Sequence, residues 1–395
     1  MSLLDRLFDQ NEWMNYYNNK IKAGNISKDK EYDLLSFIET EEYLPLVKSI
    51  STGATFESPH KTYVNKMSSS KKRVVYTYGR VENYVLKMIT FLLKEYDDIF
   101  ADNLYSFRKN KGVKCAVENI LQMEALKSYY TYKVDISDYF NSVNIEILLP
   151  MLSEIFREDR RLYEFIKSLL ANPFVYENGI LKEDRKGIMA GTPIASFLAN
   201  VYLKEMDEWF ADRGCYYARY SDDVIVFAKT EQELCDYINK IKDTLFQYDL
   251  QVNKKKEIVT SPGEMWTFLG FSYQNDTLDV SPVSIEKIKN KMRRKVRALK
   301  RWQRKNGVSG ENTAKAFIRH FNRVFYENKK NNELTWTRWY FPIINTTHGL
   351  ENIDHFMQEQ IRYLATGTRT KAKYNLRYEE MKKLGYRSLV SSYYN

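Results

Sequence analysis

Two adjacent acids, Asp222 and Asp223, stand between the segment 217–220 and the wholly apolar run 224–228. No other feature of this sequence narrows its fold as much. Both flanks read as strands, so the acids fall in a tight hairpin turn. Like charges side by side repel, which makes such a turn a poor device for stability. Acidic turns are common, and the pair alone decides nothing. A second acid changes the balance: Asp135 closes another strand-like run, 130–136. Carboxylates at strand ends suit hard divalent cations, and Mg²⁺ usually takes one or two of them together with substrate phosphates. Two ions about 4 Å apart can clamp the attacking and leaving oxygens of a phosphoryl transfer. That chemistry wants Asp135 and Asp222 on neighbouring strands, with Asp223 in support.

Charge points to the partner. Sixty-one Lys+Arg against 51 Asp+Glu leave +10, a surplus that favours polyanions although an AT-biased coding sequence would also produce it. The surplus is concentrated. Eleven of the nineteen residues from Lys287 to Lys305 are Lys or Arg, and Glu286 is the only acid in 284–306. Ile285, Ile288, Met292, Val296, Leu299 and Trp302 recur there at steps of three or four, predicting one apolar stripe on a helix otherwise covered with cations. A solvated face usually mixes signs, so this helix is expected to meet nucleic-acid phosphates through Lys287, Lys291, Arg294, Lys295, Arg297 and Arg301.

The rest of the chain is consistent with a packed α+β protein. At 44% apolar, its 395 residues can bury full cores in two to four units. Residues 1–58 read as polar helices. A basic patch, Lys71-Lys72-Arg73, leads into a strand at 74–78, a helix at 81–94, a turn-rich stretch at 103–112 and a helix to about 126. Further on come a helix at 231–248 and a strand at 266–273. Three widely spaced cysteines and four scattered histidines offer neither a disulfide framework nor a zinc pattern. The acidic N-terminus lacks a signal-peptide core, and the longest apolar stretches are too short or too polar to cross a membrane. A cytoplasmic protein is expected.

At these residues the sequence resembles the reverse transcriptases. Tyr220-Ser221-Asp222-Asp223 is similar to the family's Tyr-x-Asp-Asp signature, and Asp135 followed by Phe140 is similar to its first catalytic motif. Residues 187–203, GIMAGTPIASFLANVYL, align without gaps to the string that group II intron enzymes write as GIPQGSPISPLLANIYL. Val252-Asn253 with Lys256, the hairpin-like Phe268-Leu269-Gly270-Phe271 and the 104–112 stretch resemble three further motifs, all in the family's order. The resemblance implies a right-hand polymerase: fingers over 59–134, a palm over 135–275, and a basic helical thumb with an RNA-binding extension over 276–395. It implies two Mg²⁺ held by Asp135, Ile136, Asp222 and Asp223, and a triphosphate met by Lys72, Arg73 and Arg108. Gly191 would let backbone approach the nucleotide closely, and 268–271 would grip the primer. Phe140 either lies under the sugar and excludes a 2′-OH or packs as a core aromatic. Lys256 either protonates pyrophosphate or caps a strand. Trp302, Trp336, Trp339 and Tyr340 stack on RNA bases or fill a core. One departure stands out: Met189-Ala190 replace the family's Pro-Gln, whose Gln touches the template.

The resemblance also bears on the kind of enzyme. The chain lacks the Cys/His clusters of intron-borne nucleases and the late Val-Thr-Gly of retron enzymes, and 395 residues leave no room for an RNase H domain. Its C-terminal stretch is similar to the tails of stand-alone bacterial reverse transcriptases, many of which act in phage defence with a neighbouring non-coding RNA. The expected partners are therefore an RNA template, a dedicated non-coding RNA, with dNTPs and a DNA product; an oligomer is compatible. Alternatives are template-independent or protein-primed DNA synthesis, a group II intron or diversity-generating enzyme, and an RNA-binding protein with a vestigial palm.

Overall fold

The run 224–228 is apolar at every position, the pattern of a strand covered on both faces, and none of its residues is more than 2% exposed. In the computed structural model it lies inside a four-stranded antiparallel sheet ordered Tyr217–Tyr220, Asp223–Ala228, Tyr130–Asp135, Ile258–Thr260. The structure describes every residue except Met1, Asn25, 66–71, Arg185 and 327–334, together with the side chains of Asn65, Ala372 and Lys373. Lys71 of the basic patch therefore lies outside the described residues.

The chain forms two units, Met1–Pro262 and Gly263–Asn395. In the first, the helix Glu231–Gln247 packs on the sheet. Thr230 caps it by accepting the Glu233 N–H, and Leu234, Ile241 and Leu245 form its buried stripe. Strand Tyr217–Tyr220 is not left as an open edge. The Tyr105 N–H donates to Arg219 O at 2.9 Å, and the Arg219 N–H to Asn103 O at 3.0 Å. A second sheet runs Lys72–Thr77, His60–Asn65, Phe174–Glu177, Ile180–Glu183. Towards the N-terminus, helices Leu3–Phe8, Gln10–Ala23, Lys28–Glu39 and Leu44–Ser51 are not merely polar. Trp13, Phe37 and Tyr43 are fully buried, Trp13 stacks on Tyr43 at 4.5 Å, and these rings join the core of the first unit.

In the second unit, the expected strand at 266–273 is two strands, Trp266–Phe268 and Phe271–Gln274, joined by Leu269-Gly270. Both turn residues have positive φ, 48° and 95°, the signature of a type I′ hairpin turn. A Cβ on Gly270 would also lie 2.9 Å from the Tyr340 hydroxyl. The basic stretch is one helix, Pro282–Asn306, capped by Ser281 and packed against His348–Thr366. Its buried stripe is Ile288, Met292, Val296 and Leu299, whereas Trp302 is 41% exposed. The expected stripe is thus one position too long at each end: Ile285 is only half-buried, and near the helix end Trp302 faces solvent. Trp336 instead packs on Phe325 and Tyr340, and Tyr340 on Phe271.

Candidate active site

Asp135 is the last residue of its strand and sits directly opposite Asp223, the first of the neighbouring strand. Ser221 and Asp222 make the turn between Tyr220 and Asp223. The Ile136 N–H donates to Asp222 O at 3.0 Å, tying the turn to the strand end that carries Asp135. The two predicted acid sites are therefore brought together by register alone.

Their charges are felt. The Asp222 carboxyl is pushed up to about 6, first by burial, then by Asp223 and Asp135. Asp135 is 5% exposed and accepts from two groups of one turn: Lys256 Nζ on Oδ1 at 2.5 Å and Asn253 Nδ2 on Oδ2 at 3.0 Å. Asn253 also donates its backbone N–H to Asp135 O at 2.8 Å. Burial works against charge on Lys256, but its bond to Asp135, with Asp223 and Asp222 beyond, outweighs that and raises its pKa.

Among the described residues no three His, Cys, Asp or Glu side chains converge closely enough to form a finished metal nest. The donor set still fits a hard divalent cation. Asp223 and Asp135 both oppose the charge on Asp222, and a lysine ammonium already neutralises one oxygen of Asp135, so the site draws positive charge to hard carboxylate oxygens.

The loop at 187–192 closes on the same region. The Ile188 N–H donates to Phe140 O at 2.9 Å, and a Cβ on Gly187 would fall 2.4 Å from that oxygen, so only glycine fits. Gly191 (φ 103°) lies against Val75 and Tyr76, and the Tyr76 N–H donates to Ala190 O at 2.8 Å. Phe140 is half-buried on the short helix Tyr139–Ser142 that follows Asp135. Lys72 and Arg73 are exposed on the strand that carries Val75 and Tyr76.

Arg108 is not presented to this site, contrary to expectation. Its side chain is 5% exposed and paired with Asp97. Nε and Nη2 bond the Asp97 carboxylate, Nη2 also Asp97 O, and Nη1 the carbonyls of Ala101 and Leu104. These bonds engage all five guanidinium N–H groups, so Arg108 braces its own segment. Of 268–271, Phe268 and Phe271 are fully buried in the second unit, leaving Leu269 and Gly270 at the turn. Lys287, Lys291, Arg294, Arg297 and Arg301 are exposed along the basic helix, and Lys295 is half-buried. Sequence reading missed the groups beneath the acid turn: Ser106 accepts the Ser221 N–H, and Arg219 donates to Ser221 O. A charge inside a short buried strand was the available signal.

The match to a known family includes this region. A family model described as reverse transcriptase (RNA-dependent DNA polymerase) matches residues 64–273. The group II intron-encoded protein LtrA of Lactococcus lactis subsp. cremoris is 22% identical over 199 residues, 50% of this chain and 32% of its own length. An uncharacterized 91 kDa protein in the cob intron of Schizosaccharomyces pombe is 24% identical over 196 residues, covering 48% of this chain and 24% of its own. The chain thus spans a third or less of these curated relatives. Among solved structures, apo telomerase from Candida tropicalis has a TM-score of 0.49 at 13% identity, covering 84% of this chain and 60% of that one. The same telomerase in complex with a fragment of telomeric RNA gives 0.49 at 14%, covering 88% and 60%.

Proposed function

The chain belongs to the reverse transcriptase family, and on that premise we propose that it extends a DNA 3′-OH with dNTPs on an RNA template, using Asp135, Asp222 and Asp223 as its catalytic carboxylates. One observation carries this reading: Asp135 and Asp223 face each other across the sheet, with Asp222 in the adjoining turn at a raised pKa. Two Mg²⁺ ions, held by the three carboxylates and the Ile136 carbonyl, would supply neutralisation of the triphosphate and of the attacking oxygen.

The protein's own groups do the rest. Phe140, following Asp135 and bonded through its carbonyl to the glycine-flanked loop, limits room for a 2′-OH beneath the incoming sugar. Gly191 lets backbone close on the nucleotide, and Lys72 and Arg73 meet the triphosphate from the adjoining strand. Lys256, protonated beside Asp135, is placed to give its proton to the leaving pyrophosphate. In this reading fingers span 59–134 and the palm 135–275. The thumb and RNA-binding region is 276–395, whose basic helix contacts phosphates without reading sequence.

A dedicated non-coding RNA as template, in cytoplasmic anti-phage defence, is the finer form of the proposal. It rests on the similarity of the C-terminal stretch to stand-alone bacterial enzymes and on the Met189-Ala190 departure. The test is sequencing of the RNA and DNA that co-purify with wild type and with Asp222→Ala, each expressed with its flanking genomic DNA. One shared RNA in both, with complementary DNA only in the wild type, is the expected result. Equal DNA synthesis by Asp222→Ala would overturn the carboxylate assignment. DNA unrelated to any bound RNA would overturn the dedicated template.

A further inference from the structure

Beneath the acid turn lies a closed set of polar side chains that none of the chemistry above uses. Ser106, Asn200, Asp207 and Arg219 are each at most 2% exposed, and they come from three separate stretches of the chain. Ser106 Oγ accepts the Ser221 N–H at 2.9 Å and donates to Asn200 Oδ1 at 3.1 Å. Asn200 Nδ2 returns a bond to Ser106 O at 2.9 Å. Arg219 spans the other side: Nη1 donates to Ser221 O at 3.3 Å and Nη2 to Asn200 O at 3.2 Å. Its Nε and Nη2 also fork onto Asp207, which accepts the Tyr217 hydroxyl at 2.9 Å.

We propose that this network is the positioning device of the catalytic turn: Ser106 and Arg219 hold the N–H and the C=O of Ser221 and so set where Asp222 and Asp223 stand against Asp135. Three observations carry it. Ser221 has φ 61°, a left-handed conformation that a non-glycine residue keeps only where its surroundings over-determine it. Both polar backbone groups of that residue are taken by the network, and the next carbonyl, Asp222 O, is taken by Ile136. Finally, the guanidinium that holds Ser221 O is itself fixed, by the Asp207 fork on one side and Asn200 O on the other, with no exposure to solvent. Carboxylates that must converge on one substrate atom need such fixity, since a misplacement near 1 Å costs on the order of 100-fold in rate.

The inference rests on the polymerase reading, and one experiment separates the two. Primer extension by the full chain is measured for wild type, Ser106→Ala and Arg219→Lys, with thermal unfolding recorded for each. Arg219→Lys keeps a cation for Asp207 but cannot reach Ser221 and Asn200 together. Both variants are expected to lose roughly 10- to 100-fold in kcat, with KM for dNTP changed less than about 2-fold. A folded Ser106→Ala with wild-type kcat overturns the positioning role, as do kcat losses no larger than the loss of folded protein. A wild type that extends no primer overturns the polymerase reading itself. Independently of any variant, the Ser221 amide should exchange with solvent as slowly as those of the flanking strands, and fast exchange there overturns the proposal.

Discussion

Replacing Asp222 with Asn should stabilise the metal-free protein while abolishing its activity. The Asp222 carboxyl rises from 3.8 to about 6 because it is buried and because Asp223 and Asp135 stand nearby, with Lys256 acting in the opposite sense. An acid with a raised pKa in the fold is protonated more readily there than in the unfolded chain. Its ionisation therefore opposes folding: the penalty is absent below the unfolded value of 3.8, grows between that and about 6, and is complete above. Two pKa units at about 1.4 kcal/mol each amount to roughly 3 kcal/mol. Asn keeps the size of the side chain and removes the charge. In chelator at pH 8, Asp222→Asn should outlast wild type in thermal unfolding by about 3 kcal/mol, on the order of 6 °C for a unit of this size. At pH 4 the gap should nearly close. Added Mg²⁺ should then raise the wild-type midpoint and leave that of the variant almost unmoved. Equal midpoints at pH 8, or a gap that widens on acidification, would refute the reasoning, because either would mean that ionising Asp222 among its neighbours carries no cost in the fold.

Three further outcomes follow from single contacts. Arg108→Ala leaves Asp97 and three carbonyls without their donor and should cost about 3 kcal/mol of stability with no change in KM for dNTP; a rise in KM at unchanged stability would return Arg108 to the triphosphate. Met189 has φ 58° and donates its N–H to Lys186 O at 3.0 Å, so Met189→Pro should lower stability by at least about 3 kcal/mol in urea unfolding, and a wild-type midpoint would contradict the loop geometry. Phe140→Ala should admit ribonucleotides in primer extension; retained sugar discrimination would make Phe140 a packing residue.

What could be read from the sequence depended on pattern strength. The central sheet was legible because 224–228 is unbroken apolar residues and because acids at strand ends have few structural uses. The helices near 80–92, 231–247 and 282–306 were legible from their apolar spacing. Strands His60–Asn65, Phe174–Glu177 and Ile180–Glu183 were not. Ile180–Glu183 is exposed throughout, and one residue pair, His60 with Tyr176, joins the two halves of that sheet. No alternation marks strands that bury so little. Cations were the least legible residues of the site. Arg108, Arg73 and Arg219 look alike in sequence, yet one braces a turn through Asp97, one is exposed, and one is sealed beneath the acid turn. A strand position marks Arg219 as unusual, but which acid or carbonyl the fold brings alongside each cation is not carried by local sequence.

The same logic explains the departure at Met189-Ala190. Proline is locked near φ −65°, whereas Met189 stands at φ 58°, so this is not an exchange of side chains on a shared backbone. The loop follows a path that the family's proline forbids. Thr192 secures that path by donating its N–H and its hydroxyl to Met189 O at 3.1 and 2.9 Å, and Tyr76 secures it through Ala190 O. Fully buried, Met189 further anchors the loop as its sulfur accepts from the Tyr78 hydroxyl at 3.3 Å. The loop is thus clamped, chiefly by its own backbone, to the strand that carries Lys72 and Arg73. Ala190 is buried beside Met189 and Gly191 is the exposed residue of the turn, so a side chain as long as glutamine has no counterpart on this path.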